Sequence, residues 1–217
     1  MIKVLLVDDH RLVREGIRSL LEETAPAGKI EVTGSASTGE EAMRIMESDI
    51  PDVVLLDLKL PGLPGDEVMR HLLAQYPGIK VIILTAITSG PIAKKILGEG
   101  ASGFISKDSG LPEVIKAIHA VMHGERYVSS DVAQQLALSH LGGQEEVIEQ
   151  LSSRELQILQ LIADGLKNQQ IAERLSLSPK TVSTYKKRMT AKLHANSTVE
   201  LLRIAIQYEL VDVGSSR

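Results

Sequence analysis

Short apolar runs recur through the first 125 residues, and four of them stop on a polar side chain of a particular kind. Val4-Leu5-Leu6-Val7 ends in Asp8-Asp9, Val53-Val54-Leu55-Leu56 in Asp57, Val81-Ile82-Ile83-Leu84 in Thr85, and Gly103-Phe104-Ile105-Ser106 in Lys107. Runs of this length without polar alternation read as strands buried on both faces. Strands are predicted over 3–7, 30–36, 52–57, 80–85 and 102–106. Between them the apolar spacing becomes helical: Leu12, Ile17, Leu20 and Leu21 share one face of a helix over 11–24, stopped near Pro26 and Gly28. Thr38 with Glu41 is a capping-box start for a helix through 46, and helices follow over 65–76, 91–99 and 111–123.

Five strand–helix alternations describe a doubly wound parallel sheet with helices on both faces. With five units the natural topology is the flavodoxin-like order 2-1-3-4-5, which sets the ends of the first and third strands side by side. Asp8, Asp9 and Asp57 are therefore expected to converge, with Thr85 and Lys107 arriving from the next two strands. Singly, each has an ordinary explanation: Asp8 and Asp9 as turn residues, Thr85 as a strand end, Lys107 as a solvated tether. Four strands delivering such groups to one edge are hard to explain by packing alone, because a carboxylate is costly to bury without a partner.

The pattern loosens after residue 126, where a short helix over 130–140 and a flexible Gly-rich stretch over 141–146 read as a linker through 147. From 148 onward the character is all-helical. Ser152 with Glu155 opens one helix that ends at Gly165, a short helix spans 168–175, and Ser178-Pro179 caps a longer one running to 193. Ser197 with Glu200 starts a last helix through 210. The break between 175 and 179 is helix-turn-helix spacing. Val182, Met189 and Leu193 form the inward stripe of the second helix, and Ser183, Thr184 and Lys187 lie opposite. Small polar residues and bases on an exposed face suit a reader of the DNA major groove. Lys180, Tyr185 and Arg188 suit phosphate contacts that fix position. A merely solvated amphipathic helix would give much the same charge pattern.

Composition sharpens this division. Of the 217 residues, 43% are apolar and 24% charged, as in an ordinary soluble protein. The net charge of −4 is uneven: residues 1–147 carry 14 Lys/Arg against 21 Asp/Glu, and residues 148–217 carry 10 against 7. An acidic front and a mildly basic tail suggest different partners. No apolar run approaches the ~20 residues of a membrane span, and the start lacks a basic leader, so no membrane or signal segment is expected. The absence of Cys excludes disulfides and thiolate metal sites and fits a cytoplasmic location.

Clustered carboxylates repel one another and resist ionising together, a conflict a hard divalent cation removes. Magnesium, with its preference for oxygen ligands, is the expected cofactor. The cation would also neutralise an incoming phosphoryl group for in-line attack, leaving Asp57 as the nucleophile that accepts it as an acyl phosphate. Thr85 would donate its hydroxyl to one phosphoryl oxygen and Lys107 would pair with another.

These residues also match a family. Val7-Asp8-Asp9-His10, Leu56-Asp57 with Pro61-Gly62, Thr85-Ala86 and Phe104-Ile105-Ser106-Lys107 resemble the receiver domain of two-component response regulators. The resemblance implies that Asp57 is the phosphoacceptor, that Asp8, Asp9, Asp57 and the Lys59 backbone carbonyl hold magnesium, and that Thr85 and Phe104 are switch positions. One departure is Asp108, where many receivers carry a proline, so the usual cis-proline is not there to shape that loop. Leu151-Ser-Ser-Arg-Glu155, Asn168-Gln-Gln-Ile-Ala172, Leu177-Ser-Pro-Lys-Thr-Val182 and Lys192-Leu193 resemble the LuxR-type DNA-binding domain. Together they imply the NarL/FixJ class. Gly124-Glu-Arg-Tyr-Val-Ser129, Val132-Ala-Gln-Gln-Leu136 and Ser178 to Tyr185 look most like the branch that includes GacA, UvrY and LetA, whose members activate small regulatory RNAs.

The expected architecture is then a flavodoxin-like, five-stranded α/β receiver over 1–125, a linker over 126–147 and an all-α helix-turn-helix domain over 148–217. The DNA-binding set is Lys180, Thr181, Ser183, Thr184, Tyr185, Lys187 and Arg188, with base-edge contacts implied for Ser183, Thr184 and Lys187. Expected partners are a sensor histidine kinase or histidine phosphotransfer domain, double-stranded promoter DNA, RNA polymerase and, once phosphorylated, a second copy of the chain. The protein is expected not to be an enzyme beyond its own phosphotransfer and autodephosphorylation. Three competitors are weaker. A haloacid-dehalogenase phosphatase would want its nucleophile on the first strand in Asp-x-Asp spacing with a cap insertion. An acyl-lactone sensor would need an aromatic-lined pocket, and the chain holds one Phe, four Tyr and no Trp. A degenerate receiver, regulating DNA without phosphorylation, would lack a key position, and all five are present.

Overall fold

The computed structural model describes residues 1–24, 30–139, 150–175, 177–208 and 210. The stop expected at Pro26 and Gly28 and the linker stretch over 141–146 lie outside them. The chain divides into two compact units, one of Met1–Thr85 with Ile96–Val132 and one of Ala86–Lys95 with Ala133–Arg217. No helix among the described residues is long and apolar enough to cross a membrane.

The first unit is built on a parallel sheet of β1 (Ile2–Val7), β2 (Ile30–Ala36), β3 (Val53–Leu56), β4 (Lys80–Thr85), β5 (Gly103–Ser106) and β6 (Tyr127–Val128). The order is β2-β1-β3-β4-β5-β6. The sheet therefore has six strands, not the five expected. Two residues of β6 are too few to show a period, and their strand character comes from pairing Gly103 with Tyr127 and Phe104 with Val128. All four residues of β3 and of β5 are buried, as strands covered on both faces require.

The helices α1 (Arg11–Thr24), α2 (Gly39–Ser48), α3 (Gly65–Gln75), α4 (Gly90–Gly98) and α5 (Leu111–Met122) follow the strands. Val4, Leu6, Leu55, Ile82 and Ile105 meet Ile17, Leu21, Val114 and Ile118 in one apolar cluster. Thr38 caps α2 by accepting from the Glu41 amide. Glu41 reaches back to the Ser37 amide, 2.7 Å away, one residue short of the expected box partner. At the start of α3 a Cβ on Gly65 would fall 2.0 Å from the Asp57 carbonyl. Glycine there lets the helix close against the strand end that carries Asp57.

The segment after β6 forms α6 (Ser130–Ser139). Farther on, α7 (Ser153–Ala163), α8 (Asn168–Arg174), α9 (Pro179–Lys192) and α10 (Thr198–Gln207) complete the described helices. Ser152 and Glu155 form a complete capping box on α7. Ser178 caps α9 with Pro179 in its first turn, and Ser197 caps α10. The last helix ends at Gln207 rather than 210, although Leu210 is itself buried. Ile158, Leu159, Ile171, Val182, Met189 and Leu201 are wholly buried and tie the four helices together.

An ion pair between a buried carboxylate and a partly exposed lysine braces this unit. Lys192 Nζ lies 2.6 Å from Glu155 Oε2, whose side chain is 3% exposed. Burial pushes the Glu155 carboxyl up, but the Lys192 ammonium and the Ser152 amide and hydroxyl outweigh it and hold the group below its ordinary 4.5. A carboxyl depressed by folding stabilises above its unfolded value and loses that contribution as pH falls through its folded value. Glu155→Gln should therefore flatten the acid side of the stability profile below pH 4.5. Chemical denaturation of both proteins at a series of pH values checks this, and parallel acid limbs would contradict it.

Candidate functional site

Parallel pairing sets the carboxyl ends of β1, β3, β4 and β5 along one edge. Val7 pairs with Leu56, so Asp8 and Asp57 leave adjacent strands at the same level. The Asp57 amide donates to the Val7 carbonyl at 2.8 Å and the Asp8 amide to the Ala36 carbonyl at 3.1 Å, which fixes both residues. Arg14 donates to the Asp8 carbonyl and, at 3.0 Å, to Ser35 Oγ, bracing the same turn from α1.

The side chains converge. Atoms of Asp8, Asp9, His10 and Asp57 that could ligate a metal all lie within 4.8 Å of one another. Lys107 Nζ lies 2.6 Å from Asp57 Oδ2 and 2.6 Å from Asp8 Oδ2, bridging the two most buried carboxylates. Burial pushes the Lys107 ammonium down, but Asp57 and Asp8 outweigh it and hold its pKa above the ordinary 10.5. Lys59 follows in the turn after β3, and its amide donates to Asp57 Oδ1 at 3.1 Å. Beside the cluster lies a cavity of about 270 Å³, lined by Leu12, Ile17, Leu84, Val114 and Lys107. Lys107 thus has carboxylates at its tip and apolar surroundings elsewhere.

Thr85 ends β4, fully buried and paired with Ser106. Phe104 sits in β5 between Ile83 and Val128, also fully buried. At the departure from the usual proline, Lys107–Ser109 form a short 3-10 turn whose Asp108 amide donates to Ser106 Oγ at 3.1 Å. Sequence reasoning did not single out the role of His10. Its Nδ1 is 2.9 Å from Asp9 Oδ1, and its place in the Asp-Asp-His run was the available signal. Also unforeseen are Ser129 and Asp131, which contact the turn after β5 from more than twenty residues away. No periodicity reports such a pairing.

In the second unit the groups expected to meet DNA line one side of α9. At about 100° per residue Lys180, Thr184 and Lys187 share a face, and all three are exposed. Val182 and Met189, on the opposite side, are fully buried. Ser183 flanks the exposed face, donating to the Pro179 carbonyl at 3.0 Å and accepting from Asn168 Nδ2 at 3.3 Å. Thr184 Oγ1 donates to the Lys180 carbonyl at 3.0 Å. Thr181 belongs to the cap, its amide donating to Ser178 Oγ at 3.0 Å. The Arg188 guanidinium lies 6.0 Å from the Tyr185 ring centroid, placing a base beside an aromatic ring.

Comparison with known proteins agrees with both halves. Residues 4–119 match the response regulator receiver domain, and residues 149–205 match the luxR family of bacterial regulatory proteins. The chain belongs to the two-component response regulators that join a receiver to a LuxR-type helix-turn-helix, and it is a DNA-binding transcription regulator. Among its relatives is response regulator UvrY of Escherichia coli K12, 44% identical over 212 residues that cover 97% of this chain and 96% of that one. Response regulator GacA of Pseudomonas aeruginosa is 43% identical over 217 residues, 99% of this chain and 100% of that one. A solved structure of RcsB from Salmonella typhimurium has a TM-score of 0.73 at 25% identity, covering 96% of this chain and 98% of that one. RcsB from Salmonella enterica serovar Typhimurium, bound to promoter P1flhDC with the phosphomimetic BeF3-, has a TM-score of 0.70 at 27% identity, covering 93% and 96%.

The Lys107 bridge has a measurable consequence. Lys107→Met leaves Asp8 and Asp57 facing each other, so stability at neutral pH should fall by about 3 kcal/mol. Urea melts at neutral pH check this, and an unchanged midpoint would contradict it.

Proposed function

We propose that the chain is switched by phosphorylation of Asp57 and that the switch controls promoter binding through α9. The observation that carries this reading is the Lys107 ammonium, 2.6 Å from both Asp57 and Asp8 at the edge where four strands end. Asp57 supplies an oxygen nucleophile, attacking phosphorus as the bond from phosphorus to the donor's imidazole nitrogen breaks and the nitrogen keeps the electron pair. Lys107 is placed to exchange an Asp57 oxygen for a phosphoryl oxygen, and Thr85, one strand over, to offer its hydroxyl to another. Asp8, Asp9 and Asp57 are a hard oxygen donor set that fits magnesium, with the Lys59 carbonyl as a further ligand. Bound there, the ion would offset charge on the transferring group. Thr85 and Phe104 are both fully buried, and the switch begins at Thr85 because its hydroxyl can bond a phosphoryl oxygen.

The phosphoryl donor in this reading is a sensor histidine kinase or histidine phosphotransfer domain. The target is double-stranded promoter DNA, including promoters of small regulatory RNA genes, bound by a homodimer with RNA polymerase recruited nearby. The work is done in the cytoplasm. Similarity to UvrY and GacA over nearly the whole chain supports this branch. Lys187 and Thr184, with Ser183, face base edges, while Lys180, Thr181, Tyr185 and Arg188 serve cap and backbone.

Two measurements test the reading. Acetyl phosphate with magnesium should label the wild type, and Asp57→Asn should abolish labelling; labelling of the variant at the wild-type level would refute the assignment. Lys187→Ala should weaken binding at the cognate site by about 1–3 kcal/mol while leaving binding to unrelated DNA nearly unchanged. Equal loss on all DNA would mark Lys187 as a phosphate contact.

A further inference from the structure

The turn that brings Lys107 to the carboxylates is held by a segment twenty residues farther along the chain. The Ser106 amide donates to Ser129 Oγ at 3.2 Å, and the Ser129 amide donates to the Phe104 carbonyl at 3.1 Å. Ser109 Oγ donates to Asp131 Oδ1 at 2.8 Å. Burial pushes the Asp131 carboxyl up, but the neighbouring serine hydroxyls and the Val132 amide outweigh it and hold it below the usual carboxylate range. Ser106 and Ser129 are 1% and 0% exposed. Asp131 thus holds the residue two after Lys107, and Ser129, two residues before Asp131, holds the residue just before Lys107. An acid serving only the first turn of α6 would not need the Ser109 hydroxyl, since the helix amides alone would satisfy it.

We propose that Asp131, together with Ser129, is a positioning residue for phosphoryl transfer at Asp57. Asp131 fixes Ser109 and Ser129 fixes Ser106, and together they set the backbone from which Lys107 reaches between Asp57 and Asp8. The inference rests on the reading of Asp57 as phosphoacceptor. A lysine stem has four rotatable bonds, so the placement of its backbone decides whether the ammonium stays in reach when the phosphoryl group arrives. A displacement near 1 Å at a reacting centre lowers rates steeply. Asp131 does not touch the reacting atoms and holds none of the carboxylates that bind the cation. Its loss therefore slows transfer without weakening metal binding.

The test uses the full chain labelled by acetyl phosphate while magnesium is varied. Asp131→Ala should lower the maximal labelling rate about tenfold, the factor for losing one charge-assisted hydrogen bond. The half-saturating magnesium concentration should stay at the wild-type value. Asp131→Asn keeps an acceptor oxygen for Ser109 and should recover the rate to within about threefold of wild type. An unchanged rate in Asp131→Ala, a rise in half-saturating magnesium matching the fall in rate, or no recovery in Asp131→Asn would overturn the proposal. If thermal melting shows Asp131→Ala to be unfolded, Ser109→Ala decides, with about threefold slowing expected and a wild-type rate overturning the proposal. Failure of the wild type to label, or normal labelling of Asp57→Asn, would instead sink the phosphoacceptor reading.

Discussion

The receiver unit depends on one ammonium group between two carboxylates. Asp8 and Asp57 leave neighbouring strands at the same level, and without compensation their charges would oppose the pairing of β1 with β3. Lys107 arrives from β5, two strands away from β3, and neutralises both at 2.6 Å. That contact ties the middle of the sheet to one side of it. Under the proposed phosphorylation of Asp57, new charge there would be shared with the same ammonium. The group that stabilises the resting arrangement would then be the group that registers its change.

The helical unit follows a different logic. Its core is a stripe at helical spacing, and its capped helix ends leave α9 with one wholly buried side and one polar, basic side. The hydroxyls of Ser183 and Thr184 bond back to their own helix. In the proposed reading, contact with base edges would exchange those bonds for others of similar strength, so these hydroxyls would favour discrimination over raw affinity. Lys187 would then make the larger electrostatic contribution.

Much of this was legible in the sequence because parallel strands buried on both faces are uninterrupted apolar runs, and because such sheets gather function at their carboxyl ends. The convergence of Asp8, Asp9, Asp57 and Lys107 followed from strand order alone. What escaped was set by tertiary partners. Tyr127 and Val128 are a strand only because β5 offers them a free edge, and Tyr127 is anchored further by its hydroxyl on Glu113. Asp131 fell unremarked within the short helix expected over 130–140, and nothing local signals its bond to Ser109. Glu41 was expected to close a box on Thr38, but the extended chain before the helix offered the Ser37 amide instead. Asp108 removes the proline of many receivers, and serine hydroxyls hold the turn in this chain.

The most direct test of the bridge is a titration of the Lys107 ammonium followed by NMR in the intact chain. A charged Lys107 shared by Asp57 and Asp8 titrates above 10.5 and moves down when Asp57 is replaced by Asn. A Lys107 that titrates at or below that value, and is indifferent to the loss of Asp57, would contradict the account.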